Sequence, residues 1–463
     1  MNDRLRRVVV VGGGLAGLAA GLEAADRGAV VTLLERRPRL GGATWSFRRR
    51  GLWFDNGQHV FLRCCTAYRT FLDRIGSAEG VFLQPSLEIP VLTPDGPPGS
   101  IRRTPGPAPL HLAPSLLTYP HLSLHQRLKV LRAGMALRRL DPADAGLDSV
   151  AFGDWLAAQG QDAAAVETFW NLVVLPTVNV SAADASLKLA AKVFVTGLLT
   201  RAASADVGWA TVPLSALHGN PARRALERAG AEVRVGAAVT GVRPGSSGRL
   251  VAHVNGHAIE ADSVVVAVPH DVVDSLLPPG SVRGQDRLLE LGTSPIVNVH
   301  LVYDRPVTDL AMFAAVGSDI QYVFDRSEAA GVQDGRQCLA ISLSAARAWL
   351  GRSPSELVEH FEAELARLLP AASGARLTDS IVTREPAATF YGAPGTDRLR
   401  ADTECALPGV YLAGAWCNTG WPATMEGAIR SGTRAGMLAA GSRRGSGHRF
   451  GEPGRTSPAT VWS

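Results

Sequence analysis

The apolar residues of this chain change spacing several times, and the changes outline its elements. Val8–Val11 is an unbroken apolar run, suited to a parallel strand buried on both faces. Gly12, Gly14 and Gly17 follow at once. Leu15–Arg27 then has helical spacing, with Gly28 placed to end the helix. Val30–Leu34 reads as a second buried strand ending at Glu35. A Gly41-Gly42 turn comes next, and Trp45–Asn56 has the pattern of a hairpin. From Gln84 to His121, prolines at 85, 90, 94, 97, 98, 105, 107, 109, 114 and 120 break any long helix and mark entry into a second lobe.

Helical patterns follow at Leu124–Leu140, Ala151–Gln159, Asp162–Leu175 and Ala182–Leu199. Near Pro221 the texture returns to α/β, with a helix at Ala222–Ala229 and strands at Glu232–Val235 and Val239–Val242. Leu250–Val254 and His257–Ala261 flank Asn255-Gly256, a strong hairpin signal. Ser263–Val268 is another apolar strand, stopped by Pro269. A mixed region holds strands at Val297–Tyr303 and Leu339–Leu343 and an amphipathic helix at Ser355–Leu369. Gly409–Ala440 reads as strand, loop and helix.

Gly12-x-Gly14-x-x-Gly17 lies between a strand and a helix, where its chemistry needs it. The first glycine permits the tight turn, the second admits a pyrophosphate, and the third lets helix and strand pack closely. Leu15 and Ala16 begin the helix whose N-terminus favours phosphate charge. Glu35, 18 residues after Gly17, can accept hydrogen bonds from ribose hydroxyls, with Arg36 beside it. This is a dinucleotide signature. Three further features select FAD over NAD: Arg39-Leu40-Gly41-Gly42, the loop Asp55-Asn56-Gly57-Gln58-His59, and a C-terminal strand ending at Gly414 before Gly420–Gly427 and a helix. Gly414 would let backbone approach the ribityl-phosphate arm. Ala423, Thr424 and Met425 would aim helix amides at the anionic edge of the flavin. Val239 completes the set of expected cofactor contacts.

The fold class that follows is α/β: a discontinuous Rossmann-like FAD-binding domain from 1–84, 209–275 and 386–440, with a second α+β substrate domain from 85–208 and 276–385. Residues 441–463 are rich in Gly, Ser, Arg and Pro and are expected to be a disordered tail.

Taken together, these residues resemble the FAD-dependent amine oxidase and phytoene desaturase superfamily, over nearly the whole chain to about residue 440. Within it, Asp55–Tyr68 (DNGQHVFLRCCTAY) and Asn418–Gly432 (NTGWPATMEGAIRSG) resemble the hydroxysqualene dehydroxylase family, also called squalene-associated FAD-dependent desaturases. The resemblance implies reductive removal of the hydroxyl of a C30 isoprenoid alcohol to give squalene, feeding bacterial hopanoid synthesis. One departure stands out: relatives commonly carry an acidic residue where this chain has Ala415, which removes a contact to a ribityl hydroxyl. Desaturation of a carotenoid-type polyene is the alternative, and an amine oxidase-like activity comes third. A non-catalytic FAD-binding scaffold in a lipid-synthesis complex is a different class.

Dehydroxylation needs a proton donor, and His59 is the candidate catalytic residue. Asp55 is expected to cap its loop, and Tyr68 and Glu426 are weaker candidates. Adjacent Cys64 and Cys65 are expected to be buried thiols rather than a disulfide, and no residue spacing suggests a metal site. Phe169–Leu175 and Val193–Leu199 are expected to line a hydrophobic tunnel or the core.

Composition bounds these readings. The 463 residues are 46% hydrophobic with a net charge of +5, so the chain is neither disordered nor fibrous. Scattered basic residues and 6% aromatics exclude a nucleic-acid module. The five cysteines suit a reducing cytosol. No stretch is long and apolar enough to span a bilayer, so a cytoplasmic protein is expected. Leu124, Leu128, Leu131 and Met135 form a stripe beside Arg127, Lys129, Arg132, Arg138 and Arg139. That stripe serves either to pack the helix on the core or to make peripheral contact with the inner face of the membrane. The expected partners are a lipophilic isoprenoid and an electron donor that the sequence does not name.

Overall fold

A computed structural model describes residues 5–441. The expected tail from 442 onward lies outside the described residues. A five-stranded parallel sheet forms the base of the cofactor lobe. Its order is Glu232–Val235, Val30–Glu35, Arg7–Val11, Ser263–Val266 and Val410–Leu412, with each neighbour in parallel register. The chain turns one way from the central strand and later returns on its other side. The crevice beyond the strand ends at such a reversal is where α/β sheets bind ligands.

Two helices cross on this sheet with their backbones nearly touching. Leu15–Asp26 packs against Met425–Ala440. A Cβ at Gly432 would lie 2.0 Å from the Ala16 carbonyl oxygen, and one at Gly436 would lie 2.3 Å from that of Ala20. Bare backbone on the second helix allows this approach. The crossing fixes the glycine-loop helix against the C-terminal motif, although some 400 residues separate them in sequence.

The second lobe is built on a seven-stranded mixed sheet, ordered Leu377–Thr389, Ser294–Tyr303, Gln337–Leu343, Tyr322–Asp325, Met312–Ala315, Glu88–Leu92 and Gly99–Arg102. Helix Pro354–Leu368 buries Leu357, Phe361 and Leu365 against it. The proline-rich stretch thus contributes two strands, with Pro90 paired to Ser100 in the outer hairpin. Two sequence-predicted helices are broken. Asp162–Leu175 becomes Ala163–Ala165, a wide π-type turn at Val166–Trp170 and Asn171–Val178. The predicted Ala182–Leu199 helix starts only at Leu187, and Phe194–Leu199 is again π-type. Trp170 and Phe194, 5.2 Å apart at the ring centroids, cluster with Phe152 in the core.

The outward direction of helix Leu124–Leu137 corrects one expectation. Its buried face is Val130, Ala133 and Leu137. Leu124, Leu128 and Met135 of the predicted stripe are exposed, and only Leu131, partly buried, touches the core.

Candidate active site at the glycine loops

Gly12 and Gly17 are required by the protein itself. Gly12 has φ +108°, and a Cβ there would lie 2.2 Å from the Ala267 carbonyl oxygen. A Cβ at Gly17 would lie 1.9 Å from the Gly12 oxygen. Gly14 differs: its added Cβ would meet only the Gly42 Cα, at 3.7 Å. Two glycine loops lie against each other here, with the Gly41 amide donating to the Gly13 carbonyl at 2.8 Å. A Cβ at Gly42 would come within 2.7 Å of the Gly14 Cα.

Glu35 is buried at the end of its strand. Its Oε2 accepts from the Gly13 amide at 2.6 Å and its Oε1 from the Arg37 amide at 2.8 Å. Each oxygen retains a lone pair for a ribose hydroxyl. The Glu35 carbonyl also accepts from the Ala237 amide at 2.8 Å, two residues before the strand that Val239 opens. Arg36 is exposed.

The residues fit a bound dinucleotide by a second test. Gly14 caps the first helix without a side-chain hydrogen bond, which leaves amides for an anion. Buried Arg39 Nη1, Trp45 Nε1 and Gln58 Nε2 have no partner among the described residues. Buried donors without acceptors are costly, and a ligand rich in phosphate and ring acceptors would satisfy them. Arg39 lies 3.8 Å above the Trp45 ring, and burial lowers its pKa below the usual arginine value.

The loop carrying His59 is held from both lobes. Asp55 Oδ2 accepts from Arg326 Nη2 at 2.8 Å, and its Oδ1 accepts from Ser46 Oγ at 2.6 Å and the Leu214 amide at 3.0 Å. Asn56 Nδ2 donates to Ala43 O and to Glu385 Oε1, each at 2.8 Å. Thr383 Oγ1 donates to the Asn56 carbonyl at 2.9 Å, and Asn298 reaches the same carbonyl and the Gln58 amide, each at 3.4 Å. A Cβ at Gly57 would sit 3.4 Å from Asn298 Nδ2. His59 Nδ1 lies 3.1 Å from the Gly57 carbonyl. With that proton donated to Gly57, Nε2 is the free position. Burial lowers the His59 pKa more than the Gly57 carbonyl, Asp55 and Glu385 raise it, and Arg326 lowers it further.

The structure places the weaker candidates elsewhere. Glu426 is buried and serves the helix Thr66–Ile75, accepting from the Ala67 and Tyr68 amides at 3.2 and 2.8 Å and from Arg430 Nε at 2.7 Å. The Tyr68 hydroxyl is 2.7 Å from Nε2 of buried His218. Cys64 and Cys65 are free thiols, Cys65 buried and Cys64 partly so. Thr424 Oγ1 caps the C-terminal helix by accepting from Gly427 N at 3.2 Å, while Ala423 and Met425 flank it. The expected reason for Gly414 changes: its added Cβ would meet Trp416 Nε1 at 2.4 Å, so an indole crowds this position. That indole donates to the Val268 carbonyl at 2.9 Å, and the Gly414 amide donates to Ser431 Oγ at 2.9 Å. Ala415 offers no carboxylate.

Sequence reasoning missed Arg326, Asn298 and Glu385, which hold the Asp55–His59 loop, and Arg400. Arg400 is buried, with Nη2 donating to the Cys417 and Trp421 carbonyls at 2.5 and 2.8 Å. No local motif marks these four. Arg39 and Trp45 sit beside the second glycine turn, and that adjacency was the available signal.

A family model described as flavin containing amine oxidoreductase matches residues 15–437. The chain belongs to that family. FAD is its cofactor, and its glycine loops, Glu35 and orphaned donors are the residues that would hold it. The chain is 26% identical to hydroxysqualene dehydroxylase of Rhodopseudomonas palustris, over 94% of this chain and 99% of the relative. It is 24% identical to a zeta-carotene desaturase of Arabidopsis thaliana (93% and 84% covered). A 15-cis-phytoene desaturase of Narcissus pseudonarcissus is 26% identical (92% and 78% covered). Among solved structures, a putrescine oxidase redesigned at its cofactor site superposes with a TM-score of 0.73 at 21% identity, covering 93% of this chain and 98% of that one. Cyclohexylamine oxidase from Brevibacterium oxydans gives 0.70 at 19% identity, covering 94% and 99%. These structural likenesses establish the shared fold. No helix among the described residues is long and apolar enough to cross a membrane.

Proposed function

We propose that this oxidoreductase reductively dehydroxylates hydroxysqualene to squalene. The observation that carries the reading is the end-to-end match to hydroxysqualene dehydroxylase, which leaves almost none of that relative uncovered. The desaturases match at similar identity but leave about a sixth to a quarter of their own length outside the alignment. Bound FAD supplies two-electron hydride chemistry. The protein must protonate the leaving hydroxyl, exclude water and orient a long apolar chain. His59 is the candidate donor, acting from Nε2 while Gly57 fixes the ring through Nδ1. Because its pKa is lowered, the protonated form belongs to the acidic range, and turnover should fall as pH rises through that pKa.

The test is a single turnover without oxygen. Photoreduced holoenzyme is mixed with hydroxysqualene, and squalene is followed by mass spectrometry. Squalene in stoichiometric yield supports the reading. No squalene, together with polyene oxidation by the oxidised holoenzyme, transfers it to desaturation. His59→Ala should retain the flavin spectrum and lose turnover, and undiminished turnover removes His59 from the mechanism.

A further inference from the structure

Residues 101–140 hold seven Lys and Arg and no Asp or Glu, whereas the whole chain nets only +5. The rest of the chain therefore nets −2, and this segment is one of the chain's runs of uncompensated positive charge, as residues 36–54 are. The same segment is unusually apolar on its outside. Of eleven exposed large hydrophobic side chains among the described residues, five are Leu110, Leu117, Leu124, Leu128 and Met135. Leu110 and Leu124 are 64% and 63% exposed.

Helix geometry puts the two features together. At about 100° per residue, Leu124, Leu128, Leu131 and Met135 occupy one stripe roughly 60° wide. Arg132 and Arg139 fall along one edge of it and Arg138 along the other, and the core-facing Val130, Ala133 and Leu137 lie opposite. Arg127 donates to the Leu122 carbonyl at 2.8 Å and the Leu117 carbonyl at 2.5 Å, tying the short helix Ala113–Leu117 to the start of the long one. Among the described residues, the side chains of Arg102, Arg132, Arg138 and Arg139 have no ion-pair or hydrogen-bond partner. Lys129 is different, because it faces Asp162.

We propose that this face docks on an anionic lipid bilayer, with the leucine stripe entering the interface and the flanking arginines meeting phosphate headgroups. Charge selects this occupant. A second copy of the chain would oppose like charges across a two-fold axis, and a nucleic acid would leave the leucines in water. An anionic bilayer satisfies both the stripe and its border.

The test is co-sedimentation of holoprotein with vesicles of phosphatidylcholine alone or of phosphatidylcholine with phosphatidylglycerol. Binding is expected only to the anionic vesicles. Each neutralised cation near the surface weakens partitioning by about fivefold, so Arg132→Gln with Arg138→Gln should cost roughly 30-fold. Leu124→Ser with Leu128→Ser should lose at least about tenfold by removing the inserted side chains. An unchanged flavin spectrum and melting temperature show that each variant is folded. Vesicle binding kept by both variants overturns the proposal. So does duplex DNA binding that only the arginine variant loses, or a concentration-dependent dimer abolished by the serine pair. None of these readouts uses turnover, so they stand apart from the substrate assignment.

Discussion

Glu35→Gln separates the protein's use of this carboxylate from the cofactor's. The two oxygens accept from Gly13 and Arg37 at 2.6 and 2.8 Å, so both bonds are short and charge-assisted. A glutamine keeps the shape but turns one acceptor into a donor that faces a backbone N–H. One amide is then left without a partner in a buried site. A hydrogen bond to a charged group is worth about 1.5–3 kcal/mol, and an orphaned buried donor costs about 1–3 kcal/mol. The expected apoprotein destabilisation is therefore about 1–3 kcal/mol, read by denaturant titration. The charge also leaves the position that would receive a ribose hydroxyl, so FAD affinity should fall by about 10- to 100-fold, the equivalent of about 1.4–2.8 kcal/mol. Titrating apoprotein with FAD and following flavin fluorescence measures this directly. Glu23→Gln is the control: its bond to Arg27, at 2.7 Å and partly exposed at the end of helix Leu15–Asp26, should matter by less than about 1 kcal/mol. A Glu35→Gln protein that binds FAD within threefold of the parent refutes the assignment of Glu35 to the cofactor.

Two further outcomes follow from packing and burial. A Cβ at Gly432 meets the Ala16 backbone at 2.0 Å, so Gly432→Ala should destabilise by about 1–3 kcal/mol and lower flavin content, whereas Gly134→Ala, with nothing within 4 Å, should be neutral or slightly stabilising in a thermal melt. His218 has its pKa pushed down to about 3, first by burial and then by His59. Its folded form stays neutral while the unfolded chain takes up a proton below pH 6.5, so stability is lost as pH falls through that window. At pH 5 the loss from this residue is about 2 kcal/mol. His218→Gln should shrink the stability difference between pH 7.5 and pH 5 by that amount in denaturant titrations, and an unchanged difference removes His218 as the cause.

The parallel sheet was legible because its central strands, Val8–Val11, Val30–Leu34 and Ser263–Val266, are short, largely apolar runs, a pattern set by burial on both faces. The second sheet was legible only in its two buried central strands, Ser294–Tyr303 and Gln337–Leu343. Met312–Ala315 and Tyr322–Asp325 are too short to show a period, and Leu377–Thr389 carries Arg384, Glu385 and Pro386 at the sheet edge, where exposure relaxes the pattern. Pro90 read as a break yet lies within a strand, in its outer hairpin with Gly99–Arg102. The helix at Leu124 shows a different limit. Spacing locates an apolar stripe but not its direction, and here Val130, Ala133 and Leu137 face the core instead.

The candidate site divides along the same line. Gly12, Gly17 and Glu35 were legible because one βαβ unit sets their spacing, although Ala267 and Ala237 also close on Gly12 and Glu35. The Asp55–His59 loop was visible as a motif, but its partners in the second lobe arrive from more than 200 residues away. Arg326 closes a buried pair with Asp55, Glu385 and Thr383 grip Asn56, and Asn298 reaches both Asn56 and Gln58. All four come from the second lobe, three of them from strands of its seven-stranded sheet. The position of His59 is therefore set by that sheet as much as by its own loop. Removing one partner of a buried ion pair typically costs about 3–5 kcal/mol, because the remaining charge keeps its desolvation penalty. The Asp55–Arg326 pair is 5% and 7% exposed by side chain, so it falls in that class. Loss of Arg326 should consequently move His59 without touching it, coupling the substrate lobe to the candidate proton donor.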